Sequence, residues 1–185
     1  MDCNVVVSLR RSLDEMVVGE SMGTFSSSLL DHYDRNAFET AGFRWNEAHR
    51  SRDKVAGYYE LKGKDDMVGL LKHIKNYEKH CWSKVGKPRV AGLEINNAGT
   101  FEEGGKVKTE DQTEEEESAE WKMGRMIFSQ SAGVLNAAIM ISVVIGGDGG
   151  LTLGFAWQRD AVDNAIVDKL MEKLQVGVEE LAPSD

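Results

Sequence analysis

The sequence predicts an α/β (α+β) fold in which a mixed β-sheet of five to six strands is covered by helices. Three observations carry that reading. Strand-like and helix-like stretches alternate along the chain. An unbroken apolar run, Ala137 to Ile145, leads into the turn Gly146-Gly147-Asp148-Gly149-Gly150 and a second apolar stretch, Leu151 to Gln158, the pattern of a hairpin. An amphipathic helix from about Ala161 to Leu181 follows. Each of these segments has one apolar face to hide, and a sheet layered with helices is the economical way to hide them all.

The elements follow in order. The β-branched run Asn4 to Ser8 predicts a first strand, and Thr24 to Leu30, after Gly19 and Gly23, a second. From Phe43 to Leu61 the apolar positions Phe43, Trp45, Ala48, Val55, Tyr58 and Tyr59 recur at helical spacing, with Arg and Lys between them. Gly63 breaks that helix. Asp65 or Asp66 is placed to cap another, from Met67 to about Lys84, striped by Val68, Leu71, Ile74, Tyr77 and Cys81. Pro88 precedes a strand from Arg89 to Ile95. Trp121 to Phe128, Leu135 to Ile145 and Leu151 to Trp157 predict three more, the last two joined as the hairpin. In the final helix Val162, Ile166, Leu170, Leu174 and Val178 lie four apart, Ala165 and Leu181 broaden the stripe, and Asp160 is the expected cap.

Composition bounds the function. The 185 residues fit one domain, 1–185, without internal repeats. Cys3 and Cys81 match no metal-ligand spacing and make no disulfide framework, which predicts a reducing compartment. The start, Met1-Asp2-Cys3-Asn4, lacks a signal-peptide pattern, and the longest apolar run, Val134 to Ile145, is too short to span a bilayer. A cytoplasmic protein without a membrane partner is the expectation. The net charge of −9 is local: Glu102 to Glu120 holds nine acids against Lys106 and Lys108. That segment predicts a mobile acidic surface loop at about 101–120. The rest is nearly balanced, so no nucleic-acid partner is expected.

Val6-Val7-Ser8-Leu9-Arg10-Arg11 and its Gly-bearing loop, the helix with Trp45 and Ala48, Phe128-Ser129-Gln130, Ser142-Val143-Val144 with its Gly hairpin, and Trp157-Gln158 with the closing helix stand in a telling order. Together they resemble the second half of fungal alcohol acetyltransferases. Those enzymes are similar in fold to chloramphenicol acetyltransferase, plant coenzyme A-dependent acyltransferases and the condensation domains of peptide synthetases. The resemblance covers nearly the whole chain but only about half of the family's domain. It implies a chloramphenicol-acetyltransferase-like C-terminal half-domain. The family's His-x-x-x-Asp-Gly motif, whose histidine is the general base toward the acceptor alcohol or amine, belongs to the other half.

The resemblance also implies site residues. Arg10 stands where the family's arginine would meet the motif's aspartate. Ser129 and Gln130 are expected to face a pocket, and Trp157 to be core or pocket wall. His32, beside Tyr33-Asp34 near a strand end, is a catalytic candidate. His49-Arg50-Ser51-Arg52-Asp53 matches the spacing, but Lys54 replaces the Gly and the match sits in a helix, where i and i+4 residues pair on the surface. His73 and His80 have no partner at metal-ligand spacing, so no metal is expected. Neither a Gly-x-Ser-x-Gly elbow nor a base beside either cysteine is present, and Gly146 to Gly150 lacks the Lys-Ser/Thr ending of a phosphate loop.

The expected function is a small-molecule tailoring enzyme of secondary-metabolite type. It would work as a homodimer around a cleft, without the usual histidine, in cyclisation or acyl-transfer-related chemistry. The alternatives are a non-catalytic subunit that completes a separate acyltransferase half or docks on a synthase, and a truncated acetyltransferase fragment. No cofactor is expected, acetyl-CoA or another acyl-CoA entering only if a partner supplies the other half.

Overall fold

The computed structural model describes residues 1–12, 25–34, 42–64, 66–101, 122–133 and 135–182. Among these residues five strands form one mixed sheet: β1 (Asp2–Ser8), β2 (Ser26–His32), β3 (Leu93–Thr100), β4 (Ile139–Ile145) and β5 (Leu151–Trp157), in the order β2-β1-β3-β4-β5. The central pairs β1–β3 and β3–β4 are parallel, while β1–β2 and β4–β5 are antiparallel. The helices are α1 (Trp45–Glu60), α2 (Met67–Leu70), α3 (Tyr77–Trp82) and α4 (Asn164–Leu181), with 3-10 turns at Leu9–Ser12 and Leu71–His73.

The hairpin forms where its sequence places it. Ile139 pairs with Trp157 and Ile145 with Leu151. Gly149 takes φ +73 in the connecting turn, a conformation that a side chain would strain. Asp148 Oδ1 accepts from the Gly150 N–H at 2.9 Å and holds the turn closed.

Because side chains alternate across a strand, the register sorts the sheet into two unlike faces. Val5, Leu93, Ile95, Ile139, Ile141, Val143, Phe155 and Trp157 share one face. There Ile139 and Ile141 pack with Val167 of α4, flanked by Leu170, Met171 and Leu174. Each such aliphatic side chain, fully buried, stabilises the fold by about 1.5–3 kcal/mol. Asn4, Val6, Ser26, Ser28, Glu94, Asn96, Met140, Ser142 and Gly154 share the other face.

Helix α1 docks on the first face through a polar lock. The Asp31 carboxylate is 1% exposed and accepts from Arg50 Nη1 (2.8 Å), Lys54 Nζ (2.9 Å) and Ser51 Oγ (3.1 Å). Burial raises its pKa, but the bonds from Arg50, Lys54 and Tyr33 overcome that and hold it well below the usual carboxylate range. One turn away, Ser27 Oγ donates to Asp66 at 2.7 Å, and the Tyr58 hydroxyl bonds both groups.

Several expectations need correction. Asp163 caps α4, its side chain accepting from the Ala165 N–H at 2.9 Å. Asp160 lies outside the helix, in a left-handed turn at φ 68. The packed stripe runs through Val167, which is fully buried, Leu170, Met171 and Leu174, whereas Ile166 is 60% exposed. The helix expected from Met67 to Lys84 breaks into α2, a 3-10 turn and α3. Asp66 caps the first piece and Asn76 the last, accepting from the Lys79 N–H at 2.8 Å. A side chain that bonds the backbone locally ends one helix and starts another. The stripe is largely uncovered: Val68, Leu71 and Tyr77 are exposed. No strand forms between 122 and 128, β3 starts at Leu93 rather than Arg89, and β4 starts at Ile139 rather than Leu135. Beyond Phe101, the acidic segment lies outside the described residues.

Candidate functional site: the polar face of the sheet

The second face carries the candidate site. Polar and small residues alternate with the core residues of the same strands, which points Asn4, Ser28, Glu94 and Asn96 away from α1 and α4. With Gln130 and Asn136 they line an open cavity of about 630 Å³ above β1 and β3, on a floor that includes Met140. Asn4 Nδ2 donates to Glu94 Oε2 at 2.8 Å, tying the two central strands together inside the cavity.

One side of this face is crossed by the extended segment 122–133. Its backbone runs so close to the hairpin that glycine is required beneath it. A Cβ on Gly147 would lie 2.2 Å from the Met123 carbonyl oxygen, and one on Gly154 would lie 2.8 Å from that of Phe128. Arg125 adds an ion pair to Asp148 at 3.3 Å. Hydrogen bonds from the Gly150 N–H and then Arg125 keep the Asp148 carboxyl below its ordinary range despite some desolvation. At the far end Arg89 ties the segment down, donating to the carbonyls of Gly133 and Asn136 at 2.8 Å and bonding the Gln158 side chain.

The residues singled out in the sequence fall in different places. Gln130 lines the cavity. Its neighbour Ser129 is exposed on the crossing segment and is not part of the lining. Trp157 lies across the sheet from the cavity, packed on the core with its indole N–H donating to Asn164 Oδ1 at 2.9 Å. The reason is register: Trp157 pairs with Ile139, whose side chain points into the core. Arg10 follows β1 in the 3-10 turn, its guanidinium 4.5 Å over the Phe25 ring. His32 sits at an exposed corner of the sheet, its Nδ1 2.6 Å from Asp2 Oδ1. That bond holds Asp2 below its ordinary pKa.

Asp53 bonds Arg52 rather than His49. Burial, and then the nearby Asp31 and Glu94, push the Cys3 thiol up to about 11, far from a nucleophile's range. Among the described residues no cluster of three metal-ligating side chains occurs, and no helix is long and apolar enough to cross a membrane. Glu94 and Asn96 were not singled out as site residues. The signal for them was in the strand pattern, where they alternate with Leu93 and Ile95.

Comparison with known proteins bears on the same point. The chain is similar to a probable alcohol acetyltransferase. Over 111 residues, 60% of this chain, it is 36% identical to the protein described as probable alcohol acetyltransferase crmB of Aspergillus fumigatus, of which it covers 21%. The resemblance read from the residues is borne out over that stretch. The chain thus spans about a fifth of that relative's length. No family model matches the chain, and no solved structure matches it significantly.

Proposed function

We propose that this chain is an acyltransferase-related protein of small-molecule tailoring, and that the polar face of its sheet is one wall of a substrate cleft. The observation that carries this reading is the asymmetry of the sheet. One face packs under α1 and α4, while the other presents, among the described residues, a concave set of amides, hydroxyls and one carboxylate over β1 and β3. Domains are built by covering such faces, and small-molecule sites combine concavity with a few convergent polar groups. A second copy of the chain, facing the first across a two-fold axis, completes the cleft and doubles each polar residue around it. The similarity to a probable alcohol acetyltransferase supports the chemical class.

The chemistry is independent of a His-x-x-x-Asp base. His49 lies in α1 among exposed charges, and none of His32, His49, His73 or His80 lines the cavity. An acyl-CoA donor enters only with a complementary acyltransferase half in place of the second copy. That alternative is favoured by the greater length of the similar protein, of which the match covers 21%.

Light scattering on the eluting protein tests the reading. The expected result is a dimer that Asn96→Arg, which fills and charges the face, converts to a folded monomer. A wild-type monomer at every concentration would remove the homodimer. Acetyl transfer from acetyl-CoA by the chain alone, abolished by His49→Ala, would overturn the histidine-free chemistry.

A further inference from the structure

Glu94 is a carboxylate in an unusual position. It is half-buried at the centre of the sheet, and among the described residues lining the cavity it is the charged one: no described Lys, Arg or His joins it. Its partner in the structure is the neutral amide of Asn4, which occupies Oε2. Among the described residues no ion pair involves Glu94. The same sheet shows what a carboxylate looks like when the fold uses it for structure. Asp31, on the opposite face, is surrounded by Arg50, Lys54 and Ser51. Among the described residues Glu94 has an orienting donor and no counter-charge, so a cation entering the cavity meets a preset acceptor and displaces no salt bridge among them.

We infer that the cavity over β1 and β3 binds the basic nitrogen of an amine-bearing small molecule, with Glu94 as the charged anchor. This deepens the cleft reading above and rests on it. A protonated amine donates to the carboxylate in a charge-assisted hydrogen bond, about twice as strong as a neutral one. The side-chain oxygens of Asn96, Gln130 and Ser28 accept its remaining N–H groups or the ligand's hydroxyls. Met140 and Val6 supply apolar contact for the carbon skeleton. Partial burial matters, because a fully solvated pair contributes little.

The test uses the full chain, labelled with nitrogen-15, and three probes of one skeleton: 2-phenylethylamine, 2-phenylethanol and phenylacetate. The side-chain amide signals of Asn4, Asn96 and Gln130 report binding. The expected result is saturable movement of those signals by the amine, weaker movement by the alcohol and none by phenylacetate. Glu94→Gln should weaken amine binding at least about tenfold, the size of one charge-assisted bond, with the unfolding midpoint unchanged. Equal amine binding in wild type and Glu94→Gln, or equal movement by all three probes, would overturn the role of Glu94 and leave the cleft standing. Silence of these signals toward every probe would overturn both.

Discussion

Asp31 and Glu94 lie on opposite faces of the same sheet, and the difference between them separates what folds this protein from what it offers to a ligand. Asp31 is enclosed: Arg50, Lys54 and Ser51 meet it from α1, and the helix is thereby fixed over β2. Glu94 is turned the other way by one step of the strand, meets the amide of Asn4, and opens onto the cavity. Both residues are acids set in strands. Which of them has cationic partners is decided by which face the helices cover.

That comparison can be broken first on the closed face. Ile141→Ala removes a buried side chain from the cluster with Val167 and should cost about 3 kcal/mol, read as a fall in the urea midpoint at unchanged slope. Asp31→Ala comes next, at about 2 kcal/mol. This is less than for a fully enclosed pair, because the Arg50 and Lys54 side chains are 39% and 38% exposed. The pH dependence has a definite sign. The folded pKa of Asp31 lies below the unfolded one, so its contribution is complete above about pH 4 and is lost as the pH falls below that range. Denaturation curves at pH 7 and pH 3 should therefore show a smaller acid loss in Asp31→Asn than in wild type; an equal loss would remove the lock from the account.

The open face should respond more weakly. Gly154→Ala pushes a methyl group against the Phe128 carbonyl and should cost about 1–2 kcal/mol. The cost should be accompanied by faster proteolytic cutting within residues 122–133 and little change elsewhere. Asn96→Ala, on the cavity wall, should shift the melting temperature by the equivalent of less than about 0.5 kcal/mol. A large shift there would mean that this face, too, is built for stability.

How much of this was legible in the sequence depended on whether a residue's partners were local. The β4–β5 hairpin could be read to the residue at Leu151 and Trp157, because its turn and its apolar runs are contiguous. The last helix was also legible, though its cap was assigned three residues early. The helix from Met67 to Lys84 failed because periodicity cannot say whether a stripe is covered. Asn76, which reads as a tolerable helix residue, instead caps a new turn. The missing strand near 122–128 failed for another reason. Its apolar residues cross the hairpin instead of pairing beside it, and the trace of that crossing was Gly146, Gly147 and Gly154, glycines of the kind that mark close backbone approach. For the site, Gln130 was named and does line the cavity. Glu94 fell only within the expected strand from Arg89 to Ile95, although its alternation with Leu93 and Ile95 already placed it on a polar face.

The bond from Asn4 to Glu94 joins residues 90 positions apart, and this separation bears on when the cavity comes into existence. The β4–β5 hairpin and α4 lie close together in the chain and can form among themselves, whereas pairing β1 with β3 requires a long loop to close first, an entropically slow event. Closing that loop carries the larger entropic cost of the two steps. A chain caught partway would hold Ile139, Ile141 and Val167 packed, give the spectroscopic signal of an ordered protein, and still lack the wall against which a ligand binds. Ligand binding thus reports on the last seam of the sheet, and a destabilised variant should lose it before it loses its core.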